Sequence, residues 1–426
     1  MPVFPPEIFD VVLELLRGDQ TALKACLLTS RDWSASCRHH LYQNTKVDLR
    51  GRPSHWSRGV ASFLTFLHDC PDVGPYIRNL TLIGGTRHPF GASKRPGNLY
   101  DVDLRCIKAL LSLVVNLTSL WMERLYLRVR LPPECTYPVT SDFTPPRSLH
   151  QLSLQDCSIL RSWQREERDG EEISLNSCRL LVRLISLFKT IEIVHTQTNW
   201  IPADPSRCLE AAELESSQDE PPLDKAAIRS LSIFGSFTSY VLTSCMALEK
   251  IESLSIFFRD GLDHQSLSHF VSGTSALQKI DINLLSLMPP SSIPGYGHLS
   301  PRKADLSKCL NLQSFSAQVS IFPDPNVLWD GTCALLRTAP CTLSSIRLTI
   351  SGYWIHIDWS GFAEILRPFT ELARLDLHIR RPPQRGSDKR MPPGLKSPKA
   401  ACEEIQHHLS WLDTKGALRV SFAGFD

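Results

Sequence analysis

The 426-residue sequence lacks the features of several broad classes of protein. It contains no run of about 18 uncharged apolar residues, which a membrane-spanning helix requires. It also lacks a basic segment followed by an apolar run near its start, as a secretory signal would have. Its formal net charge of +2 is too small to indicate a general binder of nucleic acids or anionic membranes. We therefore expect no nucleic-acid partner and no membrane partner, and an intracellular location in the cytoplasm, the nucleus or both.

Paired cysteines and catalytic signatures are also missing. The 13 cysteines are scattered singly without a C-x-x-C pair, a pattern typical of reduced intracellular thiols. No glycine-rich phosphate loop, dinucleotide fingerprint, G-x-S-x-G or H-E-x-x-H motif is present. The pairs His39-His40 and His407-His408 do not suggest a metal site, because adjacent helical residues point in different directions. We expect no catalytic residue, no bound metal and no cofactor.

The first forty residues are the most informative part of the chain. Pro5 fits the first turn of a helix, Gly18 fits its end, and Asp19 fits the N-cap of a second helix. A third helix is expected to start at Ser30 or Asp32. The first helix has apolar residues at helical spacing, namely Ile8, Val11, Val12, Leu15 and Leu16. Three helices of this size rarely fold unaided, so they predict a partner or a neighbouring domain.

This segment resembles the F-box, most closely that of many fungal proteins. The resemblance rests on Pro5-x-Glu7-Ile8 at the start and Ser30-Arg31-Asp32-Trp33 at the end, with Phe4 in place of the usual Leu. It implies an F-box at residues 1–45 that docks a Skp1-like adaptor and, through it, a cullin scaffold. The residues implied in that contact, directly or from just behind it, are Phe4, Pro5, Ile8, Val12, Leu16, Leu23, Leu27 and Trp33. The alternative is that these helices only cap the domain that follows.

A second pattern, apolar-x-x-apolar-x-apolar, recurs through the rest of the chain. Its copies are residues 77–82, 117–122, 149–154, 188–193, 228–233, 251–256, 277–282, 312–317, 343–348, 372–377 and 417–422. The alternation in the last three positions indicates a strand with one buried face. Helix-like runs precede several copies, for example residues 60–67, 107–114 and 362–366. One strand and one helix per unit resembles a leucine-rich-repeat array.

The fold class that we predict is α/β: a short N-terminal three-helix F-box followed, at residues 46–426, by an irregular leucine-rich-repeat-like solenoid. A closed α/β domain is the alternative. Polar insertions between repeats are expected to form exposed loops, which in solenoids often gather on the binding face. They are residues 84–103, 130–148, 161–172, 203–225, 286–305 and 380–399. Outward positions of later strands are candidate contacts to a protein substrate, namely Ser255, Asp281, Arg347 and Asp376.

These features together predict a non-catalytic protein. The resemblance implies the substrate-recognition subunit of an SCF-type (Skp1–cullin–F-box) E3 ubiquitin ligase. Such a subunit contributes proximity and orientation rather than reacting groups. Two other hypotheses stay open at this point: an interaction scaffold without ubiquitin transfer, and an enzyme built on a closed α/β domain.

Overall fold

The chain divides into two compact units, residues 1–226 and 227–426. The boundary expected between residues 45 and 46 lies inside the first unit. The structure is a computed structural model, and it describes residues 6–31, 33–49, 58–84, 100–128, 148–159, 181, 183–198, 225–234, 246–257, 264–284, 305–320, 325–352, 357–381 and 397–424.

The first unit begins with three helices: α1 (Pro6–Leu15), α2 (Gln20–Thr29) and α3 (Ser34–Tyr42). The predicted cap of α2 is confirmed, because Asp19 Oδ1 accepts hydrogen bonds from two backbone N–H groups, 3.0 and 2.9 Å away. The predicted start of α3 is wrong for Ser30, which instead ends α2 in an extended conformation. Asp32, the other candidate, lies outside the described residues. Helix α3 starts at Ser34, with Trp33 at the N-cap position.

Parallel strands follow these helices in the first unit. The elements in chain order are β1 (Asn44–Asp48), α4 (Arg58–Asp69), a 3₁₀ helix (Pro71–Tyr76), β2 (Asn79–Ile83), β3 (Tyr100–Asp103), α5 (Leu104–Leu113), β4 (Ser119–Glu123), β5 (Leu125–Arg128), β6 (Ser148–Ile159) and β7 (Thr190–Thr198). The strands pair in the order β1-β2-β4-β6-β7, β5 pairs with β6, and β3 pairs with β5.

The second unit is a run of seven parallel strands in chain order, β8 to β14. Its elements are β8 (Ala227–Phe234), a 3₁₀ helix (Leu248–Lys250), β9 (Ser253–Phe257), α6 (His264–Gly273), β10 (Lys279–Leu284), β11 (Ser314–Ser320), α7 (Pro325–Thr338), β12 (Ser345–Ser351), α8 (Trp359–Leu366), β13 (Arg374–Arg380), α9 (Pro398–His408), α10 (Ser410–Asp413) and β14 (Leu418–Ala423).

The predicted α/β class is confirmed, and a strand lies at each of the eleven copies of the apolar pattern. Alternate strand residues point inward as the pattern requires. In β12, for example, Ile346, Leu348 and Ile350 are fully buried while Arg347 between them is exposed. Strands β1, β3 and β5 were not predicted, because none of them carries the complete pattern.

In the second unit, the turns before successive strands are joined by the same repeated pair of backbone hydrogen bonds. The carbonyl of Gln278 accepts from the N–H groups of Gln313 and Ser314, and the carbonyl of Gln313 accepts from Ser344 and Ser345. Asparagine side chains add a second link: Asn311 Nδ2 donates to the Ser275 carbonyl over 3.1 Å. In the first unit, Asn116 Nδ2 donates to the Pro75 carbonyl over 2.8 Å in the same way. These bonds satisfy backbone groups that a turn would otherwise leave unpaired.

The expected insertions are only partly within the described residues. Segment 84–103 ends in strand β3, so its last four residues are not a loop. Residue 148 belongs to β6, residue 380 belongs to β13, and residues 398–399 open α9. Apart from a few end residues, the remaining parts of these six predicted loops lie outside the described residues.

Candidate functional site

Helix α1 presents apolar side chains on two sides, and only one side is covered. On the inner side, Leu13 is buried with Leu23 and Cys37 in a small core, and Leu16 packs against that core. On the outer side, four residues spaced as one helical stripe remain exposed: Ile8 (49%), Val11 (59%), Val12 (42%) and Leu15 (82%). We call these four residues the helical patch.

The predicted adaptor residues fall into two groups. Ile8 and Val12 belong to the helical patch. Leu23 is fully buried, so it cannot touch a partner directly and instead supports the patch from behind. Leu16, Leu27 and Trp33 are partly buried against the same core, and the Trp33 ring lies 4.8 Å from that of Phe9. Phe4 and Pro5 lie outside the described residues.

A stripe of carboxylates borders the helical patch on α1. Glu7, Asp10 and Glu14 are all exposed, and their spacing places them beside the patch on the side away from the core. Glu14 pairs with Arg17 over 2.9 Å, and its Oε2 lies 3.4 Å from Nδ1 of His40. The patch therefore has an apolar centre and an acidic edge.

The four residues predicted to contact substrate lie in one register row of the second unit. Ser255 pairs with Asp281, and Arg347 pairs with Asp376, while Ser316 connects the two pairs. The full row, which we call the central row, runs Ser232, Ser255, Asp281, Ser316, Arg347, Asp376 and Arg419. The structure thus brings together residues that are more than a hundred positions apart in the sequence. We call the outward-pointing residues of β8–β14 the exposed sheet face.

Two guanidinium groups share one carboxylate on this face. Asp376 Oδ2 accepts from Arg374 Nε over 2.8 Å and from Arg347 Nε over 3.4 Å. Partial burial alone would raise the pKa of Asp376, but the hydrogen bonds and charges of Arg374 and Arg347 outweigh it and lower that pKa. Asp376 therefore stays ionised at neutral pH and holds both arginine side chains in place.

Arg374 and Arg419 were not among the site residues predicted from the sequence. Arg419 lies in the central row beside Asp376, and Arg374 lies two residues earlier on the same strand, facing the same side. Both occupy outward positions of the repeated pattern, so extending the search to every such position would have found them. The next row contains His378, whose Nδ1 lies 2.6 Å from Ser421 Oγ.

The first unit also presents an outward row on its strands. Lys46, Thr81, Trp121, Ser153 and His195 are in register across β1, β2, β4, β6 and β7. The Trp121 side chain is exposed at 41%, which is unusual for so large a ring. Burial lowers the pKa of His195 and so favours its neutral form. This row mixes an aromatic ring with polar groups, unlike the central row of the second unit.

Comparison with protein-family models gives no match to this chain, and comparison with curated proteins gives no relative at a significant level of similarity. The described residues contain no group of three or more His, Cys, Asp or Glu side chains that could hold a metal ion. Among the helices within those residues, none is both long and apolar enough to cross a bilayer. Two surfaces of the described residues are candidates for a functional site, namely the helical patch and the exposed sheet face.

Proposed function

We propose that this chain is an F-box receptor with a leucine-rich-repeat-like solenoid at residues 46–426, and that it is the substrate-recognition subunit of an SCF-type ubiquitin ligase. The helical patch docks a Skp1-like adaptor, which links the chain to a cullin scaffold. The repeat region binds the protein substrate. The observation that carries this proposal is the uncovered apolar stripe of α1.

The apolar surface of α1 extends over two sides of the helix. A helix with apolar residues on two sides is normally covered on both, but α1 is covered on one. Burying a Val, Leu or Ile side chain that was exposed contributes roughly 1.5–3 kcal/mol. The four residues of the stripe are 42–82% exposed, so covering them would contribute part of that amount at each position and would favour docking of an apolar surface. Because carboxylates border the stripe, the adaptor surface is expected to be apolar with basic groups at its edge.

Support for the solenoid comes from each unit separately. Within each, parallel strands follow one another along the chain, and the second unit repeats the same closing hydrogen bonds. Asn116 and Asn311 make equivalent bonds from equivalent positions before their strands. Stacked repeats bury their apolar faces only against their neighbours, which is how this arrangement gains stability. The chain would hold a substrate near a ubiquitin-charged enzyme without reacting itself.

The test is co-purification of the full chain with a Skp1-type adaptor. The double variant Ile8→Asp, Leu15→Asp places two charges in the helical patch, where both side chains are exposed and the fold does not need them. The matched control is Val115→Asp, Leu310→Asp, which changes two equally exposed apolar residues elsewhere. We expect the native chain and the control to retain the adaptor and the patch variant to lose it.

Three outcomes would contradict the proposal in whole or in part. Absence of a complex with the native chain would leave the three helices as a cap of the first unit. Equal binding by the patch variant, with an unchanged circular-dichroism spectrum, would place any adaptor contact elsewhere. Retention of the adaptor without recruitment of a cullin would instead favour the interaction scaffold without ubiquitin transfer.

A further inference from the structure

Positive charge is concentrated at one end of the exposed sheet face. Strands β12, β13 and β14 present four arginines and a single carboxylate, namely Arg347, Arg374, Arg380, Arg419 and Asp376. The other strands of the second unit present Arg229, Lys279 and Asp281. Arg229 pairs over 2.7 Å with Glu252, which lies just before β9, so the charges of these strands cancel. The charge on this face therefore changes from neutral at β8–β11 to strongly positive at β12–β14.

Arg347 and Arg374 are oriented by their hydrogen bonds to Asp376, but most of their N–H donors remain available. A guanidinium group has five N–H donors, and one carboxylate cannot satisfy two such groups. Arg347 and Arg374 both use Nε to reach Asp376, and their side chains are 59% and 46% exposed. Their terminal amino groups donate no hydrogen bond to another side chain among the described residues. A fixed Nε with free terminal amino groups is ready to bind a second carboxylate in the bidentate manner that arginine favours.

The neutral half of the face consists mainly of small hydroxyl side chains. Outward positions of β8–β11 include six serines, namely Ser230, Ser232, Ser253, Ser255, Ser314 and Ser316. Serine hydroxyls both donate and accept, so they can pair with the amides of a peptide lying across them. Six spacings between seven strands, at about 4.8 Å each, cover roughly 29 Å, the length of about nine extended residues.

We propose that the exposed sheet face binds an extended peptide segment of the substrate that is rich in Asp and Glu, with its carboxylates held by Arg347, Arg374 and Arg419. This inference rests on the proposed function, because it names the substrate class of the same receptor. The face fits an acidic peptide better than a nucleic acid. A continuous phosphate chain would meet Asp281 and Asp376 in the central row and would find no cation on β9 or β11, while Arg229 on β8 is already paired with Glu252.

The test measures fluorescence anisotropy of labelled peptides of about ten residues with the full chain bound to its adaptor. One peptide alternates Glu and Ser, a second alternates Gln and Ser, and a single-stranded DNA of similar charge is the third probe. The variant is Arg347→Gln, Arg374→Gln, Arg419→Gln. Its control, Arg337→Gln, Arg367→Gln, Lys399→Gln, removes the same charge from exposed positions on or beside the helices of the second unit.

We expect the acidic peptide to bind more tightly than the neutral one, and to weaken as salt is added. The arginine variant should lose roughly tenfold or more in affinity, and the control should lose little. Equal binding of the two peptides, equal loss in variant and control, or tighter binding of DNA would overturn the inference.

The same measurement separates this inference from the proposed function. The Ile8→Asp, Leu15→Asp chain, tested without adaptor, should still bind the acidic peptide, because the helical patch is not part of the sheet face. Arginine-dependent peptide binding by a chain that never captures the adaptor would support the sheet-face inference and contradict the ligase role. Adaptor capture without peptide binding would contradict the inference alone.

Discussion

The three N-terminal helices and the strands of the second unit are packed to very different degrees. Among the described residues, the helices share a core of three buried side chains, Leu13, Leu23 and Cys37. Strand β12 alone buries three, and each of its neighbours buries at least two more. A region with so few buried contacts opens more easily than a densely packed one. We therefore expect the three helices to open more readily than these strands, and to gain stability when a partner covers the helical patch.

The largest effect is expected from a cavity in the packed strands. Phe315→Ala in β11 removes a fully buried ring that lies in register between Ile280 and Ile346. We expect the free energy of unfolding to fall by about 3–5 kcal/mol, because the neighbouring strands cannot close the space. Chemical denaturation followed by circular dichroism measures the change. The neighbour Ser316→Ala, on the outward side, should change stability by no more than about 0.5 kcal/mol.

A smaller effect is expected from the core of the three helices. Leu23→Ala should cost about 2–4 kcal/mol, and Leu28→Ala on the same helix should cost almost nothing, because Leu23 is 0% and Leu28 is 88% exposed. Hydrogen exchange should show the loss of protection confined to residues 6–42. Loss of protection throughout β8–β14 as well would show that the helices and strands unfold as one unit. That result would contradict the view that the helices open more easily than the strands.

The smallest effect is expected at the cap of α2. Asp19→Ala removes an oxygen that accepts hydrogen bonds from two backbone N–H groups. We therefore expect the free energy of unfolding to fall by about 1 kcal/mol. Asp19→Asn keeps an acceptor and should recover most of it. Exchange rates of the Thr21 and Ala22 amides report the change directly. Because the core of the three helices is small, even this loss of stability should speed amide hydrogen exchange in the helices while exchange in the strands stays unchanged.

Much of the fold could be predicted because each strand repeats one pattern. The outward positions of Ser255, Asp281, Arg347 and Asp376 followed from their place between two apolar residues. The strand register, which the sequence did not predict, places them in one line across the sheet. Strand β1, Asn44–Asp48, could not be found this way. It has a single strongly apolar residue, and it depends on pairing with β2 rather than on its own sequence.

The candidate site was less predictable, because it too depends on contacts between elements that the local sequence pattern does not contain. Spacing alone puts Leu15 and Leu16 on one broad apolar side of α1, yet Leu15 is exposed and Leu16 packs inward. Which of the two residues is covered depends on where α2 and α3 pack against α1. Helical periodicity alone does not give this information. Likewise, the sharing of Asp376 by two arginines depends on side-chain conformations across neighbouring strands.

In each strand of the second unit, the buried residues maintain the fold, whereas the outward residues can change independently of it. Each outward residue, such as Arg347, stands between buried neighbours that hold the strand, so it can be exchanged without opening a cavity. Connections between strands can also lengthen at little entropic cost, because loop closure depends only weakly on length. Descendants of one such gene could therefore diverge in what they recognise while keeping the same interior, one surface position at a time.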